Sequence, residues 1–394
     1  MPMPLNYDFV APRQIVFGWG RRREAGTVAR GLGRCALVVC GARSLADRGV
    51  LAELFDNLRA AGVAAQLLAT IEHEPEVADV DRAAADARAA GLGGGEFLLG
   101  IGGGAAMDLA KAAAAMAVND ESPTVRDYLE NVGRGLEIRC PPLPVMAMPT
   151  TAGTGCEATR NAVISCYDPP FKKSLRDGRI MPQAALVDPE LCVSVPASVT
   201  AASGMDAITQ LIESYISCKA QPIPQALAVQ GLRLAVPAIA EAVAEPGSRP
   251  AREAMSHAAL LSGMALANAG LGFAHGVAPA LGIHCRVPHG LACAVMLPAA
   301  LRVNAAVRAA ELAELARLLF PECAALPAAE AVQHLIAAIE RLCRQIGVPE
   351  RLGALGVRRE QLPAIVKSSR GASMSGNPRE VGDEELLAIL EGML

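Results

Sequence analysis

At 394 residues the chain exceeds the usual size of one hydrophobic core, so two domains are expected. Apolar residues make up 52% and aromatics only 3%, which fits a helix-rich or alternating strand–helix enzyme. The net charge of −4 is dispersed, and the absence of any basic block or aromatic–basic interleaving excludes nucleic acid as an expected partner.

The opening stretch MPMPLNYDFVAPRQ has no basic segment leading into an apolar one, so no secretory signal is expected. Cys35 to Cys40 (CALVVC) is a short apolar run bounded by glycines and reads as a buried strand. Residues 44–61 follow with Leu45, Val50, Leu54 and Leu58 at helical spacing, and residues 76–90 form a polar, alanine-rich helix. Phe97 to Ile101 is a second strand running directly into Gly102-Gly103-Gly104, after which residues 105–118 read as a helix. Residues 144–148 and 184–187 are further strand candidates. Strands alternating with helices imply parallel βαβ units, with a nucleotide bound at the strands' carboxyl ends.

The triglycine has a physical meaning there. A strand ending in Gly-Gly-Gly before a helix presents backbone N–H groups and a helix N-terminus to a phosphate, and side chains would block a pyrophosphate's approach. A simple turn explains the same three residues about equally well. The continuation GGGAAMDLAK is more specific, with Asp108 and Lys111 on the first helical turns. A second loop, Pro149-Thr150-Thr151-Ala152-Gly153-Thr154-Gly155, offers hydroxyls and amides for phosphate or nicotinamide ribose, or reads as a loop of turn residues.

After Val195-Pro196 the alternation stops and long Ala/Leu-rich helical patterns run almost to the C-terminus, which sets the expected domains at 1–195 and 196–394. In the first of these helices, 200–217, Asp206, Gln210 and Glu213 fall at i, i+4 and i+7 on one face, either a metal-ligand face or a solvated one. The most apolar stretch, 258–274, is broken by Ser262, Asn268 and glycines and reads as a core helix, not a membrane span. In GLGFAHGVAPALGIHCRVPHGLACAVML (270–297), His275 and His289 are each followed by glycine in apolar surroundings. Imidazole is the commonest metal ligand, and the pair is either one side of a metal site or two core histidines. Eleven scattered cysteines without a CxxC pair point to reduced thiols in the cytoplasm.

Taken together, GGGAAMDLAK (102–111), PTTAGTGCEAT (149–159), AASGMDAITQLIESY (201–215), GLGFAHGVAPALG (270–282), PHGLACAVMLP (288–298) and GNPRE (376–380) resemble the iron-containing, or group III, alcohol dehydrogenase family. The motifs stand in family order across nearly the whole chain and fit glycerol dehydrogenases and dehydroquinate synthases less well. The resemblance implies an α/β plus all-α protein of the dehydroquinate synthase-like fold: an N-terminal Rossmann-like dinucleotide-binding domain and a C-terminal helical domain. It implies an alcohol dehydrogenase, or aldehyde or ketone reductase, using NAD or NADP and Fe²⁺ or Zn²⁺ on small-molecule substrates, and a homodimer.

By the same resemblance Asp206, His275 and His289 match three of the family's metal ligands, while its third histidine is replaced by Gln210, a weaker donor. A further family histidine implicated in proton transfer is replaced by Pro279, and His284 is the nearest candidate to take over. Catalytic parts are thus expected of Asp108, His275 and His284. Gly102, Gly103, Gly104, Asp108, Thr150, Thr151, Thr154, Asn161 and Lys173 are expected around the cofactor. Where NAD-preferring relatives carry an acid at the end of the first strand, this chain has Gly41, then Arg43 and Ser44, which favours NADP. The two altered positions leave open a metal-independent reductase resembling maleylacetate reductases, or a non-catalytic relative.

Overall fold

The structure is a computed structural model and describes residues 6–41 and 43–394, without the side chains of Arg43 and Ser44. The chain divides into two compact units, Pro12–Val195 and Pro196–Leu394, the described residues before Pro12 belonging with the second.

The first unit is a six-stranded parallel sheet flanked by helices. Its strands are β1 (Gln14–Phe17), β2 (Cys35–Gly41), β3 (Ala64–Ile71), β4 (Glu96–Gly102), β5 (Val145–Pro149) and, after an antiparallel hairpin of β6 (Asn161–Tyr167) and β7 (Pro170–Arg176), β8 (Ala184–Val187). The sheet order is β1-β8-β5-β4-β2-β3. The helices are α1 (Ala25–Arg30), α2 (Arg43–Asp47), α3 (Val50–Ala60), α4 (Val77–Ala89) and α5 (Gly104–Met116). The single helix expected over 44–61 is two, because Gly49 takes a left-handed φ of 75° that interrupts it.

The central strands are apolar throughout, as strands covered on both faces must be: Phe97, Leu98, Leu99 and Ile101 of β4 and Leu37 to Val39 of β2 are fully buried. Helix α5 lies unusually close to β4. A Cβ on Gly100 would stand 3.1 Å from the Ala110 Cβ, so the alanine-rich helix and the strand glycine are matched. The edge strands β1 and β3 carry exposed apolar residues such as Ile15 and Leu67.

The second unit is helical: α6 (Ala197–Ile216), α7 (Pro222–Ala244), α8 (Arg249–Ala269), α9 (Phe273–Cys285), α10 (His289–Leu319), α11 (Ala328–Gln345), α12 (Leu362–Ser368) and α13 (Asp383–Gly392). Helices α7 and α10 are long and apolar enough to cross a membrane. In the fold α7 packs on α6 and α8, and α10 on α6, α9 and α11. The apolar stretch 258–274 is not one helix, since Gly270 to Gly272 separate α8 from α9 and the chain turns there by 103°.

Inside the first unit, α5 is tied to the loop after β5 by a fully buried lysine. Lys111 Nζ lies 3.0 Å from Asp108 and donates to Thr159 Oγ1 at 2.9 Å and the Cys156 carbonyl at 3.1 Å. Burial opposes its charge, and Asp108 and Cys156 beside it together more than offset this, raising the Lys111 pKa. Removing one partner of such a pair strands the other. Lys111→Ala is therefore expected to lower stability by about 3–5 kcal/mol, read from urea unfolding of this variant beside wild type; a change below about 1 kcal/mol contradicts the assignment.

Candidate active site

The expected functional groups fall, among the described residues, into two clusters, one in each unit. In the first unit, the triglycine forms the turn from β4 into α5. Gly102 has a φ of +153°, and a Cβ there would stand 2.9 Å from Gly41 backbone atoms and 2.8 Å from the Ala106 Cβ, so neither side chain nor ordinary backbone fits. Gly103 is the N-cap of α5, with no side-chain cap, leaving first-turn N–H groups available to an anion. The Thr150 N–H donates to the Gly102 carbonyl at 2.9 Å. Thr151 and Thr154 lie over Gly103 and Gly104, where added Cβ atoms would meet their side chains at 3.6 and 3.0 Å. Gly41, Gly102, Gly103, Gly104 and the three threonines are thus brought together at the carboxyl ends of β2, β4 and β5, an arrangement that could hold a pyrophosphate.

Other residues expected around the cofactor are placed differently. Asp108 accepts from Cys156 Sγ at 2.8 Å and from the Val163 N–H at 3.0 Å, besides pairing with Lys111. In this structure its carboxylate braces α5 against β6. Asn161 and Lys173 sit on opposite faces of the β6–β7 hairpin: Asn161 pairs with Arg176, whereas Lys173 pairs with Ile164 on the face shared with buried Ala162 and Leu175. The Arg43 and Ser44 side chains lie outside the described residues.

In the helical unit, Asp206 of α6, His275 in the first turn of α9 and His289 at the first position of α10 converge. His275 Nε2 is 3.0 Å and His289 Nε2 3.9 Å from Asp206 Oδ1. The two rings meet edge to face with centroids 5.5 Å apart. Gly290 permits this approach of α10 to α6, since a Cβ there would stand 2.5 Å from the Ala202 carbonyl oxygen.

Two further residues belong to the cluster. Glu213, buried on α6, lies with Oε2 2.8 Å from His275 Nδ1. Its oxygens also accept the N–H groups of Gly272 at 3.0 Å and Ala274 at 2.6 Å, while Asn377 Oδ1 accepts that of Phe273 at 3.1 Å. Glu213 therefore orients the imidazole and caps α9, with its negative charge at the positive end of the helix. Cys293, one turn after His289, has its Sγ 3.7 Å from His289 Nε2. The spacing of Glu213 from Asp206 was visible in the sequence; the role of Cys293 was signalled only by its i+4 spacing from His289.

Burial alone would disfavour charge on Asp206 and His275. For Asp206 the hydrogen bond from His275 and the charges of His289 and His275 reverse this, holding it below the usual carboxylate range. For His275 the electrostatic pull of the adjacent Cys293 sulfur, with hydrogen bonds to Asp206, Cys293 and Glu213, raises it well above that of an imidazole. Burial pushes the Cys293 thiol up to about 12. Two buried carboxylates around one imidazole call for positive charge between them, which a proton on His275 Nε2 or a metal ion at that lone pair supplies.

The donor set fits a metal ion. One ligand atom each from Asp206, His275, His289 and Cys293 lies within 4.8 Å of all the others, comparable to the roughly 4–4.6 Å reached by two metal–ligand bonds of about 2.0–2.3 Å end to end. Gln210 departs from expectation: its Oε1 is 2.7 Å from the Ser262 hydroxyl, which engages the oxygen it would offer an ion. His284 is not brought to the cluster. It stands nine residues beyond His275 on α9, about 14 Å along the axis, with Nε2 2.8 Å from Ser368 Oγ. Pro279 sits inside α9 and withholds the N–H that would bond the His275 carbonyl.

A parallel sheet with a glycine-lined turn at its strand ends, together with a carboxylate–imidazole cluster on a helical unit, fits the class of dehydrogenases that use a nicotinamide cofactor and a metal ion. Comparison with known proteins agrees: residues 12–189 match the family model described as iron-containing alcohol dehydrogenase, and residues 200–394 that of the Fe-containing alcohol dehydrogenase family, C-terminal. The chain belongs to the iron-containing alcohol dehydrogenase family. It is 33% identical over 388 residues to the 1,3-propanediol dehydrogenase of Klebsiella pneumoniae, covering 97% of each chain. It is 32% identical over 390 residues to the NAD-dependent methanol dehydrogenase of Bacillus methanolicus, covering 98% of this chain and 100% of that one. A crystal structure of a 1,3-propanediol oxidoreductase superposes with a TM-score of 0.92 at 31% identity, over 99% of this chain and 100% of that one. The protein is an oxidoreductase acting on CH–OH groups, and a nicotinamide cofactor and a metal fit its family and its donor set.

Two predictions follow from the geometry. Glu213→Gln removes the carboxylate that holds the His275 tautomer and is expected to weaken zinc binding about 10–100-fold with the helical circular dichroism intact; unchanged affinity in a chelator competition contradicts this role. Glu157, buried beside the cradle loop, is pushed by burial from its ordinary 4.5 to about 7. Its stabilising contribution is fully present below about 4.5 and is lost as pH rises through about 7. Glu157→Gln should therefore gain urea resistance relative to wild type at pH 8 and not at pH 4.5; a pH-independent difference refutes this.

Proposed function

We propose that the protein interconverts short alcohols and their aldehydes or ketones with NADP(H), and with NAD(H) as the lesser partner, using a divalent Fe²⁺ or Zn²⁺. The observation that carries the reading is the convergence of buried Asp206 and His275 with half-buried His289 from three helices. The names of the relatives above, which act on 1,3-propanediol and methanol, support small alcohols as substrates.

The reaction balances as alcohol plus NAD(P)⁺ giving carbonyl compound, NAD(P)H and a proton. Gly102 to Gly104, with Thr150, Thr151 and Thr154, would hold the pyrophosphate by backbone amides and hydroxyls. Asp206 supplies fixed negative charge, and His275 and His289 supply neutral nitrogen donors. Glu213 keeps the His275 proton on Nδ1 so that Nε2 stays a donor. When bound, the divalent ion supplies a Lewis acid for the substrate oxygen. The burial of Asp206 and His275, 1% and 4% exposed, keeps water from competing with these contacts.

NADP(H) is favoured by the glycine at the end of β2, which leaves no acid to repel a 2′-phosphate, and by Arg43 just beyond it. A homodimer is supported by the open outer edge of β1, bearing exposed Ile15, and a reducing, cytoplasmic location by eleven free thiols.

Assays of purified protein on C2–C4 aldehydes with NADPH and NADH, before and after chelation, test the reading. Metal removal is expected to cut turnover more than about 100-fold, with Zn²⁺ or Fe²⁺ restoring it. Arg43→Ala is expected to raise the KM for NADPH about tenfold and leave that for NADH unchanged. Full turnover after complete metal removal refutes the metal; an equal effect on both cofactors refutes the NADP(H) preference.

A further inference from the structure

Cys293 stands four residues after His289 on α10, so the two side chains leave the same face one turn apart. The residue is fully buried. Its sulfur belongs to the same set of ligand atoms, mutually within 4.8 Å, as one Asp206 oxygen and one nitrogen from each histidine. Gln210, one turn after Asp206, has its carbonyl oxygen engaged by Ser262. A thiolate also surpasses a carboxamide oxygen as a donor to borderline-soft cations.

We propose that the Cys293 thiolate is the fourth protein ligand of the metal, giving an Asp–His–His–Cys donor set from α6, α9 and α10 that favours Zn²⁺ over Fe²⁺. The proposal rests on the metal reading above and replaces Gln210 within it. Binding forms a metal–sulfur bond and releases the thiol proton to solvent, as ligation by cysteine requires. The charge of the ion is then met by two anionic ligands, Asp206 and Cys293, with Glu213 as a third negative charge behind His275. The ion is accordingly less electron-poor than one held by a carboxylate and three imidazoles, and sulfur softens the site toward zinc.

The test is cobalt substitution of the metal-free full-length protein, read by absorption at one equivalent of Co²⁺. Wild type is expected to show visible ligand-field bands together with an intense near-ultraviolet sulfur-to-cobalt charge-transfer band. Cys293→Ser should keep the visible bands, lose the charge-transfer band and bind Zn²⁺ about 100-fold more weakly in competition with a chromophoric chelator. Cys293→His, which returns an imidazole to the set, should recover zinc affinity without the charge-transfer band, so the proposal stays decidable if the serine variant folds poorly. A charge-transfer band equally strong in wild type and both variants overturns the cysteine assignment. So does a wild-type spectrum with ligand-field bands and no charge-transfer band, although the site of Asp206, His275 and His289 then still stands. Failure of wild type to take up cobalt at all overturns both readings.

Discussion

The helical unit is arranged around one constraint: His275 is held between two buried carboxylates, with Glu213 at Nδ1 and Asp206 at Nε2. Burying carboxylates is costly unless each is hydrogen-bonded and balanced by positive charge. Glu213 meets the first condition by accepting from the backbone at the start of α9, and the imidazole meets the second from the other side. The sharp turn between α8 and α9 brings the α9 N-terminus to Glu213, and Asn377 fixes the neighbouring N–H while also accepting from Asn304 of α10. The histidine thus acquires a defined direction before any ion or substrate arrives, the preorganisation a metal ligand needs.

The same economy governs the nucleotide end of the first unit, where small residues do the positioning. Glycines at 41, 100 and 102 let β2, β4 and α5 approach within ordinary backbone contact, and the alanines of α5 complete that fit. The loop bearing the threonines is held by Lys111, whose buried ammonium joins α5 to residues 156, 159 and 161. Asp108 completes this brace. Its oxygens meet Lys111, Cys156 and the Val163 amide.

Much of this was legible in the sequence, and the exceptions have physical causes. Strands β2, β4, β5 and β8 are continuous apolar runs, the pattern of a sheet buried on both faces. Strands β1 and β3 lie at the edges, where mixed exposure removes that pattern. The glycine turn and the trio Asp206, His275 and His289 were readable only from the ordered motifs of the resemblance, since a triglycine is as often a simple turn and buried histidines are as often core residues. Direction was not readable. Whether Gln210 faces an ion or Ser262, and whether His284 reaches the cluster or Ser368, depends on which helices pack against α6 and α9. The opposed faces of Asn161 and Lys173 follow from the hairpin register, which no local pattern specified. Cys293 drew no attention among eleven scattered cysteines, because only the packing of α10 against α6 brings it to Asp206.

The central claim, a metal centre built on α6, α9 and α10, is tested most directly by anomalous diffraction. Crystals of the purified protein, measured on either side of the zinc and iron absorption edges, should show one strong peak per chain, bonded to Asp206 and to Nε2 of both His275 and His289. A metal-replete crystal with no peak there, and His275 still bonded directly to Asp206, would contradict the account.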